Sequence, residues 1–111
     1  MSISDVNTPL RSELASDPDM AELIEMFLSE LPQRLAAFEA AVKGGEVETL
    51  RRLAHQLRGA AAGYGYASIG TAAGSIEDRI RQLNGQGDVI QQVRNEVGAM
   101  SALCRRALIR K

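Results

Sequence analysis

The chain has 111 residues and a single cysteine, Cys104. This length allows one domain and excludes two, and a lone cysteine excludes an internal disulfide, which favours a reducing, cytoplasmic setting. With one histidine and one cysteine, the composition also excludes a zinc site of the His/Cys type, so we expect no metal. Residues 1–5 lack the basic start and apolar run of a signal peptide. No stretch has the roughly 20 predominantly apolar residues of a transmembrane helix, so we expect no membrane contact.

The net charge of −1 hides an uneven distribution. Residues 1–50 hold ten acidic and three basic residues, a net charge of −7, whereas residues 51–111 hold four acidic and ten basic residues, a net charge of +6. A basic half can attract nucleic acid or an acidic protein site. Only two Phe and two Tyr accompany it, and nucleic-acid binders usually combine a basic stripe with stacking aromatics. We therefore expect no nucleic-acid partner; salt-dependent binding of DNA or RNA would contradict this.

Apolar residues recur at helical spacing along the chain, and no strand pattern is present. A short first helix is predicted over residues 9–14. Asp17 and Pro18 then predict the N-cap and first position of a long helix, which Gly44 and Gly45 end. One face of this long helix carries its apolar residues, which are Met20, Leu23, Ile24, Phe27, Leu28, Leu31, Leu35, Phe38 and Val42.

Three further amphipathic helices are predicted at about residues 46–63, at about residues 67–84 and from Asp88 onward. Their apolar faces consist of Val47, Leu50, Leu53, Ala54, Leu57 and Ala61; of Ile69, Ala72, Ala73, Ile76, Ile80 and Leu83; and of Val89, Val93, Val97, Met100, Cys104, Ala107 and Leu108. The connections between the four long helices are too short for crossovers. The pattern thus predicts an all-α fold, an antiparallel up-down four-helix bundle with a short additional N-terminal helix over one end, as a single domain of residues 1–111.

The only histidine, His55, is predicted on the outward face of the helix at residues 46–63. With Leu50 at zero and 100° per residue, the apolar face falls within roughly 60°, whereas His55 falls at about 140°. Arg58, Gly59 and Ala62 fall at about 80°, 180° and 120° by the same geometry. No large side chain therefore surrounds the imidazole.

These residues suit the transfer of a phosphoryl group. A neutral imidazole has a free nitrogen lone pair that can attack phosphorus. Gly59, one turn after His55, removes a side chain that would block a partner, and Arg58 can neutralise phosphoryl charge. Taken alone, however, an exposed histidine is usually a plain surface residue, and Gly59 can serve close helix packing instead.

The segment Ala54-His55-Gln56-Leu57-Arg58-Gly59-Ala60-Ala61-Ala62-Gly63-Tyr64-Gly65 resembles the signature of histidine-containing phosphotransfer (Hpt) domains. That signature is His, any residue, Leu, Lys or Arg, Gly, small residues and then Gly. The likeness extends to the segment at residues 27–32 with Leu35, to Gly45-Glu46, and to Ile69, Ala72, Ile76-Glu77 and Arg79. It covers about residues 20–85, and the last helix fits in pattern only. It is specific, because the fold predicted from periodicity and the motif agree.

The resemblance implies that a receiver domain's aspartyl phosphate phosphorylates His55 on Nε2, or that His55 passes its phosphoryl group to such a domain. Arg58 stands where the family usually has lysine, which keeps the charge and changes the reach. Gly59 stands at a position that is always small in the family. The family's next helix commonly offers Gln or Glu to the other ring nitrogen, and Glu77 occupies that position. The spacing equally allows Glu77 to pair with Arg81 at i+4, and both alternatives stay open.

The expected function is therefore that of a phosphorelay intermediate, without turnover or an ATP site of its own. Expected partners are response-regulator receiver domains, with a hybrid sensor histidine kinase as a further candidate, and the receiver supplies the Mg²⁺. We expect no cofactor on this chain, which should be monomeric. The predicted docking face consists of Arg51, Arg52, Gly59, Ala62 and Gly63, whose cations suit an acidic pocket. The alternative function is a helical-bundle interaction module whose histidine is never phosphorylated.

Overall fold

The structure, a computed structural model, describes residues 8–109. These residues form four α-helices and no strand: α1 at Ala21–Lys43, α2 at Val47–Gly63, α3 at Ala67–Leu83 and α4 at Val89–Ala107. Each helix packs against the next, and α1 also packs against α4, which closes the bundle. Because the connections are short, neighbouring helices run antiparallel. The predicted all-α four-helix bundle is confirmed.

The predicted start of the long helix is wrong by three residues: Asp17 and Pro18 begin the 3-10 helix Pro18–Met20, and α1 begins at Ala21. The other predicted helix ends are observed. Gly44 is the C-cap of α1, and Gly45 follows with a φ of +65°. Asn84 ends α3 in the left-handed conformation, with a φ of 47°. The Asp88 side chain caps α4 by accepting a hydrogen bond from the Gln91 N–H at 3.2 Å. These caps satisfy backbone groups that a helix end would otherwise leave unpaired.

The helix predicted over residues 9–14 is wrong. Residues 9–12 are not helical and residues 13–16 form a turn, so the short additional helix is instead the 3-10 helix Pro18–Met20. The physical reason lies in tertiary hydrogen bonds that take up the local polar groups. Ser12 Oγ donates to the Tyr64 carbonyl at 2.7 Å, and the Glu13 N–H donates to the Gly65 carbonyl at 2.8 Å. A side chain that bonds elsewhere competes with helix formation.

This N-terminal segment covers one end of the bundle, at the turn between α2 and α3. Gly65 has a φ of +84°, and a Cβ there would collide with the Ser12 hydroxyl and lie 3.0 Å from Leu14. Glycine is therefore required both for the backbone conformation and for the close approach. At the same end, the Leu10 N–H donates to the Arg106 carbonyl at 3.0 Å, which ties the segment to α4.

The core lies between all four helices and contains the apolar faces that periodicity predicts. Its largest fully buried side chains are Phe27, Phe38, Leu31, Leu50, Leu57, Ile69, Ile76, Met100, Val93 and Cys104. Burial raises the pKa of the Cys104 thiol to about 12, so this cysteine remains an unreactive core residue.

The signal-peptide prediction concerns residues 1–5, which lie outside the described residues. Within residues 8–109, no helix has the length and apolar content that a membrane span requires.

Candidate functional site

The structure places His55 on the outward face of α2. Its side chain is 64% exposed, whereas Ala54 and Leu57 on either side of it along the helix are buried in the core. The apolar face of α2 therefore packs in the core, and the imidazole lies on the exposed face, as the helical geometry predicts.

A buried carboxylate from the neighbouring helix contacts the imidazole. Glu77 on α3 has a side chain that is only 3% exposed, and its Oε2 lies 2.9 Å from His55 Nδ1. A carboxylate offers only lone pairs, so this hydrogen bond requires that Nδ1 carry the proton. In the neutral ring Nε2 then keeps its lone pair, on the side of the ring away from Glu77.

Three arginines also surround the Glu77 carboxylate. Arg81 Nη2 lies 2.8 Å from Oε2, and Arg58 Nη1 lies 3.3 Å from Oε1. Arg51 Nη1 lies farther away, 3.8 Å from Oε2. The two partners that the sequence left open for Glu77, His55 and Arg81, are thus both in contact with it.

These hydrogen-bond donors keep the Glu77 carboxylate ionised. Burial by itself raises the pKa of a carboxyl, because it penalises the charged form. Hydrogen bonds from His55 and Arg58, together with the charge of Arg81, outweigh burial and hold the pKa of Glu77 below its usual value. Glu77 therefore remains an acceptor for the imidazole N–H.

Two glycines of α3 allow α2 to approach closely enough for these contacts. A Cβ on Gly70 would lie 3.2 Å from the Arg58 carbonyl oxygen, and a Cβ on Gly74 would lie 3.1 Å from Arg58 Nε. The Arg58 side chain thus lies across Gly74, and its Nη1 is also 3.5 Å from Asp78 Oδ1. Sequence reasoning missed Gly70 and Gly74, although two glycines one helical turn apart on α3 are a pattern that indicates close packing.

Of the five residues predicted as a docking face, four are exposed and one, Arg51, is held in an ion pair. Gly59 and Gly63 have nothing within 4 Å of an added Cβ, so both face open space. Ala62 and Arg52 are exposed as well. Arg51 is only partly exposed, since it binds Glu48 with a shortest N–O distance of 2.6 Å. That hydrogen bond raises the pKa of Arg51 and lowers the pKa of Glu48.

The site within residues 8–109 contains no group of three or more His, Cys, Asp or Glu side chains that could hold a metal ion. What these residues offer is one exposed imidazole with an oriented ring, cations beside it and an unobstructed surface one turn away. This arrangement can present a nitrogen nucleophile to another molecule.

Comparison with known proteins agrees with this arrangement. The sequence model of the Hpt domain matches residues 22–103, which is most of the chain and includes most of α4. The chain belongs to the Hpt domain family. No curated protein and no solved structure matches it. Membership associates this Hpt domain with phosphotransfer in two-component signalling, as a carrier among receiver domains and histidine kinases.

Proposed function

We propose that this Hpt domain accepts a phosphoryl group on His55 Nε2 from the aspartyl phosphate of one receiver domain and passes it to another. The observation that carries the proposal is the 2.9 Å contact between His55 Nδ1 and Glu77. It supports an imidazole whose reactive nitrogen is unprotonated and faces solvent. The proposed setting is the cytoplasm, where the chain acts as a monomer.

The imidazole is the only group of this chain that forms or breaks a bond in the transfer. The Nε2 lone pair attacks phosphorus in line, and the P–O bond to the receiver's aspartate breaks, so that the aspartate leaves as a carboxylate with the bonding electron pair. Nδ1 keeps its proton, so the phosphorylated ring gains a positive charge. Glu77 lies beside that charge and stabilises it. Reverse transfer to a second receiver breaks the new N–P bond and returns the ring to its neutral form.

Arg58 is the proposed partner of the phosphoryl oxygens. It lies one turn after His55, its side chain is 51% exposed, and its contacts to Glu77 and Asp78 are 3.3 and 3.5 Å long. These contacts are loose enough for the guanidinium to move to an incoming phosphoryl group, where a charge-assisted hydrogen bond is stronger. The receiver brings the Mg²⁺, which offsets the remaining charge.

The proposed docking face is the exposed surface of α2 around His55, formed by Gly59, Ala62, Gly63 and Arg52, with Arg51 at its edge. Small residues let a partner's backbone approach the imidazole. The arginines suit the acidic pocket that binds Mg²⁺ in a receiver, and this complementarity speeds encounter. A hybrid sensor histidine kinase that carries its own receiver would dock in the same way.

The test is transfer of radiolabel from phosphorylated receiver domains to the wild-type chain and to His55→Gln. The expected result is acid-labile, base-stable label on the wild type and none on His55→Gln, with the same helical content for both by circular dichroism. Equal label on both chains would contradict the proposal. Receiver binding without any label on the wild type would instead support the interaction module whose histidine is never phosphorylated.

A further inference from the structure

Arg81 and His55 share one oxygen atom of Glu77. Arg81 Nη2 is 2.8 Å from Oε2, and His55 Nδ1 is 2.9 Å from the same atom. Arg81 lies one turn after Glu77 on α3, so its approach to the carboxylate follows from the i+4 spacing. Whatever moves or neutralises Oε2 therefore acts directly on the hydrogen bond that orients the imidazole.

The charge of Glu77 has two opposite effects on His55. As an acceptor it holds the proton on Nδ1. As a negative charge in direct contact it favours the imidazolium, in which Nε2 is also protonated and has no lone pair for attack. Cations on the same carboxylate oppose the second effect and leave the hydrogen bond in place.

Among the cations around Glu77, Arg81 is the one with no other ion pair in the part of the chain that the structure describes. Arg51 is bound to Glu48 at 2.6 Å, and Arg58 divides its contacts between Glu77 and Asp78. Within residues 8–109, the groups that pair with this carboxylate are His55, Arg51, Arg58 and Arg81. Glu48 and Asp78 belong to the same network through Arg51 and Arg58, and all of these residues lie on α2 and α3.

Resting on the function proposed above, we propose that Arg81 is a positioning residue for phosphotransfer: it holds Glu77 Oε2 against His55 and offsets its charge, so that Nε2 stays unprotonated. Arg58 leaves Glu77 when it binds the phosphoryl group, and Arg81 is then the cation that remains on the carboxylate. Arg81 itself touches neither the ring nor, in this mechanism, the phosphoryl group.

The test compares Arg81→Gln, Arg81→Lys and the matched control Arg79→Gln, an exposed arginine of the same helix. Two quantities are measured between pH 5 and 9. One is the rate of phosphoryl transfer from a phosphorylated receiver, and the other is the titration of the imidazole by NMR, in which a single histidine gives one set of ring signals.

The expected result for Arg81→Gln is that the acid limb of the transfer rate and the midpoint of the ring titration both move up, by about half to one pH unit. Transfer below the midpoint then slows about three- to tenfold, and transfer above pH 8.5 changes less than about twofold. Arg81→Lys restores most of both values because it keeps the charge, and Arg79→Gln matches the wild type.

The proposal is overturned if both midpoints of Arg81→Gln coincide with those of Arg79→Gln. It is also overturned if the ring midpoint moves and the transfer limb does not follow. A purely structural role would lower the stability of Arg81→Gln and leave both midpoints in place. If Arg81→Gln does not fold, Arg81→Lys provides the test. Lysine lacks the planar guanidinium, so both midpoints should then move up, by less than is expected for Arg81→Gln.

Failure of this inference and failure of the proposed function give different results. The ring titration needs no phosphoryl group, so it reports the effect of Arg81 even when no receiver labels the chain. Absence of label on the wild type would refute the relay function. Normal label with unchanged midpoints in Arg81→Gln would refute only the role of Arg81.

Discussion

At the scale of single residues, Glu77 keeps its charge although its side chain is almost fully buried. An unpaired buried carboxylate would become protonated, because burial penalises the charged form. Hydrogen bonds from His55, Arg58 and Arg81 supply the compensation. The same contacts make the ionised carboxylate a contributor to folding stability as well as the orienting partner of the imidazole.

Replacing Glu77 by Gln should change how stability depends on pH. The pKa of Glu77 is lowered from 4.5 in the folded state, so the folded state favours the ionised form. Its contribution is fully present above about pH 4.5 and is lost as the pH falls through the lower, folded-state pKa. Glu77→Gln should therefore unfold more easily at pH 7, by about 1–3 kcal/mol, and should lose less stability on acidification than the wild type.

Urea denaturation between pH 2.5 and 7 measures this difference. Asp78→Asn is the matched control, since it removes an exposed carboxylate from the next position of α3. A Glu77→Gln curve that runs parallel to the wild-type curve through the acid range would show that Glu77 does not stabilise the fold through its charge.

At the scale of helices, the contact between α2 and α3 determines whether a site exists at all. Glu77 can reach His55 only because the two backbones come close, and Gly70 is where they do. An added Cβ at Gly70 would lie 3.2 Å from the backbone oxygen of Arg58, which belongs to a rigid helix and cannot rotate away. Gly98 on α4 has nothing within 4 Å of an added Cβ.

The same substitution should therefore have opposite effects at these two glycines. Gly98→Ala should raise the free energy of unfolding by up to about 1 kcal/mol, because alanine favours helix over glycine. Gly70→Ala should gain the same propensity but lose more through overpacking, for a net decrease of about 1 kcal/mol. Chemical denaturation of both variants measures the difference. If Gly70→Ala were as stable as Gly98→Ala, α2 and α3 would be able to move apart without lowering the free energy of unfolding, which would contradict the prediction.

At the scale of the whole molecule, the bundle works as a rigid support for one exposed face. The apolar residues of four helices close a single core, and the N-terminal segment covers the end at the α2–α3 turn. His55 therefore moves with the core, and a partner meets a surface that is already formed. The docking face proposed above should therefore be sensitive to added side-chain volume.

Bulk on the face should block phosphotransfer without weakening the fold. Gly59→Leu places a large side chain one turn from His55, where the structure leaves open space. Since leucine favours helix over glycine, the variant should be at least as stable as the wild type. We expect transfer from a receiver to slow by about tenfold or more, which corresponds to a loss of roughly 1.4 kcal/mol in docking.

Gly98→Leu is the control for this prediction, because it adds the same side chain to an exposed position of another helix. Transfer rates and unfolding curves of the two variants are compared with those of the wild type. Normal transfer through Gly59→Leu would place the docking face elsewhere on the bundle.

The amino-acid sequence by itself determined the features that depend on one helix at a time. Periodicity along the chain is a local property, and it predicted the four helices, their buried faces and the outward position of His55. Local caps such as Asp88 were predictable for the same reason. The segment from Ala54 to Gly65 also carries a pattern specific enough to indicate the family.

Only the tertiary structure decided what depends on distances between helices. Spacing along α3 left Glu77 with two alternative partners, because a single helix does not show how near its neighbour lies; the approach at Gly70 brings both partners to one carboxylate. The N-terminal segment was mispredicted for the same physical reason. Ser12 forms its hydrogen bond 52 residues away in the chain, and no local pattern encodes a partner at that separation.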